Sequence, residues 1–160
     1  MDSAQATVIV VSDRCSRGEA EDRSGPLAAD LLRGTGLTVG APVVVPDGAA
    51  SVAAAIEAAL ASGSSVVVTS GGTGVTPRDQ TPEGTRGVID RELPGLAEAL
   101  RREGQAHVAT AVLSRGLAGV TADGALVVNL PGSTKAVAQG MGVLAPLLPH
   151  LLDQLVGGDH

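Results

Sequence analysis

The sequence predicts an α/β fold: a three-layer α/β/α sandwich with a mostly parallel sheet and a small antiparallel hairpin. Short valine-rich runs alternate with segments whose apolar residues have helical spacing, which is typical of βαβ units joined by right-handed crossovers. An Asp123-Gly124 pair between two late apolar runs predicts the hairpin turn. With 160 residues, 44% of them hydrophobic, the chain is expected to form one domain spanning residues 1–160.

Strands are predicted where short aliphatic runs are bounded by polar residues or glycine. These runs cover residues 7–11, 43–45, 66–69, 111–115 and 125–128. The last two are expected to contribute to the hairpin. Residues 15–25 are polar and contain glycine, so they are predicted to form a surface loop.

Helices are predicted between the strands from their capping residues and apolar periodicity. Each predicted start has a polar residue at its N-terminus, and proline follows in two of them. The starts are Ser24-Gly25-Pro26, Ser51, and Thr81 with Pro82 in the first helical position. Two helices on either side of Pro94 are expected within residues 83–102. The apolar stripe of the last helical segment fits either core packing or a coiled-coil seam, and Pro146 and Pro149 are expected to divide it.

The composition argues against several classes of partner. The sequence has no aromatic residue on which single-stranded nucleic acid could stack, and its formal net charge of −6 does not suit a phosphate backbone. It also shows no basic leader and no apolar run long enough to span a bilayer. We therefore expect no nucleic-acid partner, no membrane association and a cytoplasmic location. The net charge still allows a small anionic ligand, which a few cationic side chains, backbone amides or Mg²⁺ could bind locally.

Polar or glycine-rich clusters follow four of the predicted strands. They are Ser12-Asp13, Pro46-Asp47-Gly48, residues 70–74 and residues 129–132. Ligands of parallel α/β sheets bind beyond the carboxyl ends of the strands, where these clusters are expected to meet. The only cysteine, Cys15, excludes an internal disulfide, and it is either a small loop residue or a reactive thiol.

The glycine loop after the third predicted strand is the clearest candidate for binding an anion. Glycines in Gly71-Gly72-Thr73-Gly74 would let backbone N–H groups approach a phosphate closely, with Arg78 and Asp79 a few residues on. The sequence matches neither the Walker A motif nor the dinucleotide fingerprint. A purely structural turn is the alternative.

Asp47 and Asp79 each lie just beyond a strand end with glycine neighbours. Mg²⁺ often takes one or two carboxylates together with substrate phosphates, so the pair predicts a metal site for phosphoryl or nucleotidyl transfer. The alternative is that each aspartate caps a turn. Ser114-Arg115 and the helix start at Ser133-Thr134-Lys135 are further candidate ligand contacts, although the latter also fits an ordinary N-cap.

At these positions the sequence resembles the molybdopterin adenylyltransferase family, the MogA/MoaB-type proteins of molybdenum cofactor synthesis. The matching segments run in family order along essentially the whole chain, at residues 11–14, 22–26, 45–47, 70–74, 76–83, 92–95, 113–115 and 129–133. The segment at residues 76–83, Thr-Pro-Arg-Asp-Gln-Thr-Pro-Glu, is the most specific. Some members have Asn-Pro or Ser-Pro where this chain has Ser133-Thr134.

The resemblance implies a molybdopterin-binding-domain-like fold, a homotrimer, and molybdopterin and Mg-ATP as substrates. The family's catalytic and metal-binding aspartates match Asp47 and Asp79. The candidate residues for binding molybdopterin or nucleotide, from their positions and from the resemblance together, are Ser12, Asp13, Ser70, Gly71, Gly72, Thr73, Gly74, Arg78, Ser114, Arg115, Pro131, Gly132, Ser133 and Lys135.

The reaction implied by the resemblance is Mg²⁺-dependent adenylylation of molybdopterin by ATP, giving adenylyl-molybdopterin and pyrophosphate. Contact with other proteins of molybdenum cofactor synthesis is also expected. One alternative is a non-catalytic molybdopterin-binding or carrier protein of the MoaB type. Another is a transferase acting on a different phosphorylated small molecule. The paired Asp47 and Asp79 favour the enzyme.

Overall fold

A seven-stranded mixed sheet lies at the centre of the structure, a computed structural model that describes residues 3–159. The strands are β1 (Gln5–Val11), β2 (Thr38–Val39), β3 (Val43–Val45), β4 (Ser64–Ser70), β5 (Arg91–Glu92), β6 (Ala118–Val120) and β7 (Leu126–Leu130). Their order is β2-β1-β4-β7-β6-β5, and β3 also pairs with β1. β1, β2, β3, β4 and β7 are mutually parallel, whereas β6 is antiparallel to both β5 and β7.

Helices cover both faces of this sheet. They are α1 (Asp13–Ser16), α2 (Ser24–Arg33), α3 (Ala49–Ala61), α4 (Thr81–Arg86), α5 (Pro94–Gln105), α6 (Thr134–Leu144) and α7 (Leu148–Leu155). Two 3₁₀ turns lie at Ala109–Leu113 and Ala145–Leu147. Within residues 3–159, none of the helices is long and apolar enough to cross a membrane.

The two faces of the sheet bury separate cores, because successive side chains of a strand point in opposite directions. Val8 of β1 packs with Leu32 of α2 and Met141 of α6 on one face. The next residue, Ile9, packs with Ile56 of α3 on the other face. All five side chains are buried. Two helical layers around one sheet confirm the predicted three-layer α/β/α sandwich, and the last helical segment packs in the core.

The predicted strand at residues 111–115 is wrong. The structure has the 3₁₀ turn Ala109–Leu113 there, and the hairpin is formed by β6 and β7. Val112 and Leu113 are 53% and 56% exposed, so this apolar run is not part of the buried sheet. The predicted turn is confirmed, since Gly124 has φ +86° and its amide donates to Thr121 O at 3.0 Å.

Three local predictions, one of a loop and two of helix N-caps, need correction. The predicted loop at residues 15–25 is preceded and partly replaced by α1, which Ser12 caps by accepting from the Cys15 amide. Helix α3 is capped by Gly48, while Ser51 Oγ donates to the Pro46 and Gly48 carbonyls. Thr81 is the first residue of α4 and not its N-cap.

Other boundaries agree with the prediction. Helix α2 begins at Ser24 and α5 begins at Pro94. The last helical segment is divided as predicted, with Pro146 in the 3₁₀ turn between α6 and α7 and Pro149 in the first turn of α7. The two-residue strands β2 and β5 were not predicted, because so short a run carries no periodicity.

Candidate active site at the carboxyl edge of the sheet

The carboxyl ends of four parallel strands meet at one edge of the sheet, as the sequence predicted. β1, β3, β4 and β7 are followed there by Ser12, Pro46, Gly71 and Pro131. A cavity of about 400 Å³, called the edge cavity below, opens between these strand ends. Its lining includes Ser12, Asp47, Ser70, Gly71, Gly72, Thr73, Gly74, Asp79 and Gly132.

The glycine loop packs its backbone directly against the end of β1. Gly71 has φ +106°, and a Cβ there would lie 2.2 Å from the Val11 carbonyl oxygen. The Gly71 amide donates to Leu130 O at 2.9 Å, which ties the loop to β7 as well. Only glycine combines this dihedral angle with so close a backbone approach.

Thr81 closes the loop from its far end. This buried residue donates its amide to Gly72 O at 3.1 Å and its Oγ1 hydroxyl to Gly71 O at 2.9 Å. A Cβ on Gly72, whose φ is +69°, would lie 2.2 Å from Thr81 Oγ1. Residues 72–81 therefore form a closed loop whose two ends are hydrogen-bonded to each other at the mouth of β4.

The Asp79 carboxylate is held by a residue inside the same loop. Its Oδ2 accepts from the Thr76 amide at 3.1 Å and from Thr76 Oγ1 at 2.8 Å. The Asp79 amide donates back to Thr76 O at 3.1 Å. Within residues 3–159, Oδ1 of Asp79 has no hydrogen-bond donor.

The Asp47 carboxylate lines the same cavity and is held by Asp13, the first residue of α1. Its Oδ2 accepts from the Asp13 amide at 3.1 Å, and its own amide donates to Asp13 Oδ1 at 3.0 Å. Burial raises the pKa of the Asp47 carboxyl above its ordinary value, and the negative charges of Asp13 and Asp79 add to the rise. The hydrogen bond from the Asp13 amide opposes it.

Arg78 joins the two sides of the cavity mouth. Its Nε and Nη2 donate to both carboxylate oxygens of Asp13, at 3.1 and 3.0 Å, and Nη2 also donates to Asp47 O at 2.9 Å. These bonds hold the pKa of the Asp13 carboxyl below its ordinary value. Arg78 therefore acts here on Asp13 and on the Asp47 backbone.

The two aspartates suit a hard divalent cation. Both carboxylates line the edge cavity. Within residues 3–159, no hydrogen-bond donor contacts Asp47 Oδ1 or Asp79 Oδ1. The neighbouring negative charges that raise the pKa of Asp47 would be offset by a bound cation. In the described part of the chain, no group of three or more His, Cys, Asp or Glu residues could hold a metal. Substrate oxygens would have to complete the shell, as they often do for Mg²⁺.

Behind the loop, two small sets of polar hydrogen bonds link the four elements α2, β4, α4 and β7. Ser70 Oγ lies 3.1 Å from Ser24 Oγ at the start of α2 and donates to Pro131 O at 3.0 Å. On the other face of β7, Asn129 Nδ2 donates to Thr69 and Thr85, and its Oδ1 accepts from the Leu117 amide at 3.0 Å. These bonds hold β4 and β7 in register directly behind the cavity.

A second cavity of about 680 Å³, called the apolar cavity below, adjoins the first. The two share Thr73 and Gly74 of the glycine loop. Aliphatic side chains form much of its wall, and three of the predicted polar residues, Ser114, Ser133 and Lys135, lie on it together with Pro131. Ser133 is also the N-cap of α6, since its Oγ accepts from the Ala136 amide at 3.1 Å.

The predicted site residues thus fall into three groups. Nine line the edge cavity, and Ser114, Pro131, Ser133 and Lys135 line the apolar cavity with the shared Thr73 and Gly74. Asp13, Arg78 and Arg115 line neither cavity and instead hold the loops around them. Sequence reasoning missed Thr76, although a threonine three residues before an aspartate is a recognisable turn pattern.

A comparison with protein families decides the assignment. The family model described as "probable molybdopterin binding domain" matches residues 7–150 of this chain. The chain belongs to this family. The predicted family and fold are therefore confirmed.

Other members of the molybdopterin-binding-domain family are similar over nearly the whole chain. The molybdopterin adenylyltransferase of Pyrococcus furiosus is 40% identical over 149 residues, which cover 91% of this chain and 87% of that protein. A solved structure of MogA superposes with a TM-score of 0.89 at 46% identity, covering 94% of this chain and 99% of that one. Relatives that match this chain over most of their length are named molybdopterin adenylyltransferases, which agrees with the prediction that this chain is an enzyme.

Some members of the family are longer. The molybdenum cofactor biosynthesis bifunctional protein of Synechococcus elongatus is 45% identical over 97% of this chain but 48% of its own length. The chain therefore spans about half the length of this relative.

Proposed function

We propose that this chain is a Mg²⁺-dependent molybdopterin adenylyltransferase. An oxygen of the molybdopterin phosphate would form a bond to the α-phosphorus of ATP, while the bond from that phosphorus to the bridging oxygen breaks and pyrophosphate leaves. The products are adenylyl-molybdopterin and pyrophosphate. The observation that carries the proposal is that Asp47 and Asp79 both line the cavity bounded by the glycine loop, and that within residues 3–159 each has one carboxylate oxygen, Oδ1, without a hydrogen-bond donor.

The chain's own residues have three tasks in this reaction. Backbone groups of residues 71–74 cradle phosphate at the carboxyl ends of β4 and β7. Asp47 and Asp79 would hold Mg²⁺, which when bound neutralises charge on the phosphates. The hydrogen bonds from Asp13 and Thr76 keep both carboxylates oriented before the substrates arrive, and such preorganisation is the main source of rate in phosphoryl chemistry.

The two adjoining cavities suit two substrates that meet at the glycine loop. We assign the ATP phosphates to the edge cavity and the pterin to the larger apolar cavity, where Ser114, Ser133 and Lys135 supply polar contacts. Their shared wall at Thr73 and Gly74 would place the two phosphates beside each other. Because the chain has no aromatic residue, backbone, polar and aliphatic groups would hold the pterin ring.

The proposal extends to a homotrimeric, cytoplasmic enzyme of one domain that contacts other proteins of molybdenum cofactor synthesis and binds neither nucleic acid nor membrane. Its test is a reconstituted reaction of the purified chain with molybdopterin, ATP and MgCl₂. Pyrophosphate and adenylyl-molybdopterin should form in equal amounts, and omitting any one component should stop both. Molybdopterin binding without either product would instead support a carrier of the MoaB type.

A further inference from the structure

Arg115 directs its side chain onto the loop that carries Asp79. Its Nε donates to Gly74 O at 2.8 Å, and its Nη2 donates to Asp79 O at 2.7 Å. Its backbone amide donates to Thr73 O at 2.8 Å. The remaining nitrogen, Nη1, donates to both carboxylate oxygens of Glu83. All three guanidinium nitrogens therefore have protein partners.

We propose that Arg115, held by Glu83, is a positioning residue that sets the place of Asp79 in the edge cavity. The inference rests on the proposed function, in which Asp79 is a metal ligand. It differs from the expectation that Arg115 contacts a ligand, because Arg115 lines neither cavity although its neighbour Ser114 does.

The geometry explains why an arginine is required at this position. The residues from Gly74 to Asp79 form no helix or strand, and the bonds to their first and last carbonyls come from one rigid, planar group. Glu83 lies on helix α4, so it supplies a fixed point for the guanidinium. Lysine, with a single ammonium on a flexible stem, cannot span the two carbonyls and the carboxylate together.

The other bonds of the loop do not hold the Asp79 carbonyl, since Arg78 reaches Asp13 and Asp47 through its side chain alone. Thr81 fixes the loop at Gly71 and Gly72, and Thr76 bonds Asp79 only from within the loop. In the described part of the chain, Arg115 is the residue outside the loop that bonds the Asp79 backbone. Losing it would free the Gly74 and Asp79 carbonyls, so the bonds between Thr76 and Asp79 should open more often, although Arg78 still bonds Asp13 and Asp47.

The test compares Arg115→Lys and Glu83→Gln with the control variants Arg86→Lys and Glu92→Gln. Arg86 lies on the same helix as Glu83, and its Nε is 3.9 Å from Oε1 of the exposed Glu92. In the described part of the chain, neither side chain has a hydrogen bond to residues 72–81. Amide hydrogen exchange at residues 74–79 is measured on the free protein, together with its Tm. Turnover is then measured as a function of Mg²⁺ and molybdopterin concentration.

Arg115→Lys should raise the exchange rates at residues 74–79 roughly 10-fold or more. It should lower kcat by about 10- to 100-fold, because a displacement of about 1 Å has an effect of that size. The Mg²⁺ concentration for half-maximal rate should rise, while KM for molybdopterin stays within about twofold. Glu83→Gln should change each quantity in the same direction but less, and both control variants should match the wild type.

Wild-type exchange at residues 74–79 in Arg115→Lys would overturn the proposal. So would an increase in KM for molybdopterin at unchanged kcat, since that result identifies a direct ligand contact. If Arg115→Lys does not fold, the same criteria apply to Glu83→Gln. If the wild type shows no turnover, the proposed function fails, and the exchange rates alone decide whether Arg115 positions the loop.

Discussion

Asp13 and Asp47 exchange two hydrogen bonds across the ends of β1 and β3. Each backbone amide donates to the other's carboxylate, at 3.1 Å to Asp47 Oδ2 and at 3.0 Å to Asp13 Oδ1. This reciprocal pair fixes Oδ2 of Asp47, while Oδ1 has no hydrogen-bond donor within residues 3–159. It also places two negative charges close together, which the sequence alone did not show.

Asp47→Asn should stabilise the protein at neutral pH while abolishing turnover. Because the folded-state pKa of Asp47 is raised, its contribution to stability is complete at low pH and is lost as pH rises through that pKa. Asparagine stays neutral and can still accept from the Asp13 amide. Thermal unfolding should therefore give a higher Tm than wild type at pH 7 and a smaller difference at pH values below about 4, where the unfolded carboxyl protonates. A lower Tm at pH 7 would contradict the direction of this pKa shift.

Gly71→Ala should be far more disruptive than Gly18→Ala, although both glycines have positive φ. At Gly18 nothing lies within 4 Å of an added Cβ, so the cost is the strain of the dihedral angle, about 1–2 kcal/mol. At Gly71 the Cβ would also meet the Val11 carbonyl oxygen. Urea unfolding measures both, and equal losses would show that the close packing of the loop on β1 is unimportant.

Thr76→Val should lower kcat by about 10- to 100-fold, because removing a hydrogen bond to a charged group costs roughly 1.5–3 kcal/mol and each 1.4 kcal/mol is about tenfold in rate. The change removes the Oγ1 bond to Asp79 but keeps the amide bond. Thr76→Ser restores the hydroxyl and should retain nearly full activity. Steady-state kinetics with all three proteins decide the matter, and equal rates would exclude a role for this hydroxyl.

Asn129→Ala should lower Tm by several degrees. It leaves the part-buried Leu117 amide without its acceptor and the buried hydroxyls of Thr69 and Thr85 without a donor, and an unpaired buried group costs about 1–3 kcal/mol. For a chain of this size, each kcal/mol shifts Tm by about 2–4 °C. Calorimetry measures the change, and a Tm equal to that of the wild type would show that the network behind the cavity does not stabilise the fold.

The architecture of the site was predictable because it depends on strand order more than on contacts. Once the valine-rich runs were read as parallel strands, Asp47, the glycine loop and Gly132 had to share an edge. The central motif at residues 76–83 then indicated the family, and the match to residues 7–150 confirmed it.

The role of Arg115 was not predictable from its surroundings in the sequence. Residues 111–115 have the composition of a strand, yet Ala111 and Leu113 line the apolar cavity. Local composition does not distinguish a cavity wall from a sheet, because both need aliphatic residues. Arg115 follows this wall and bonds residues 32 and 36 positions away in the chain, a pairing that only the fold shows.

Pyrophosphate release and molybdopterin affinity, measured together for the wild type and Asp79→Asn, test the central claim most directly. Asp79 lines the edge cavity and does not line the apolar cavity, where we place the pterin. The variant should therefore bind molybdopterin with nearly wild-type affinity and release no pyrophosphate from Mg-ATP. Wild-type pyrophosphate release by Asp79→Asn, or an equal loss of binding and turnover, would contradict the assignment of Asp79 as a metal ligand in adenylyl transfer.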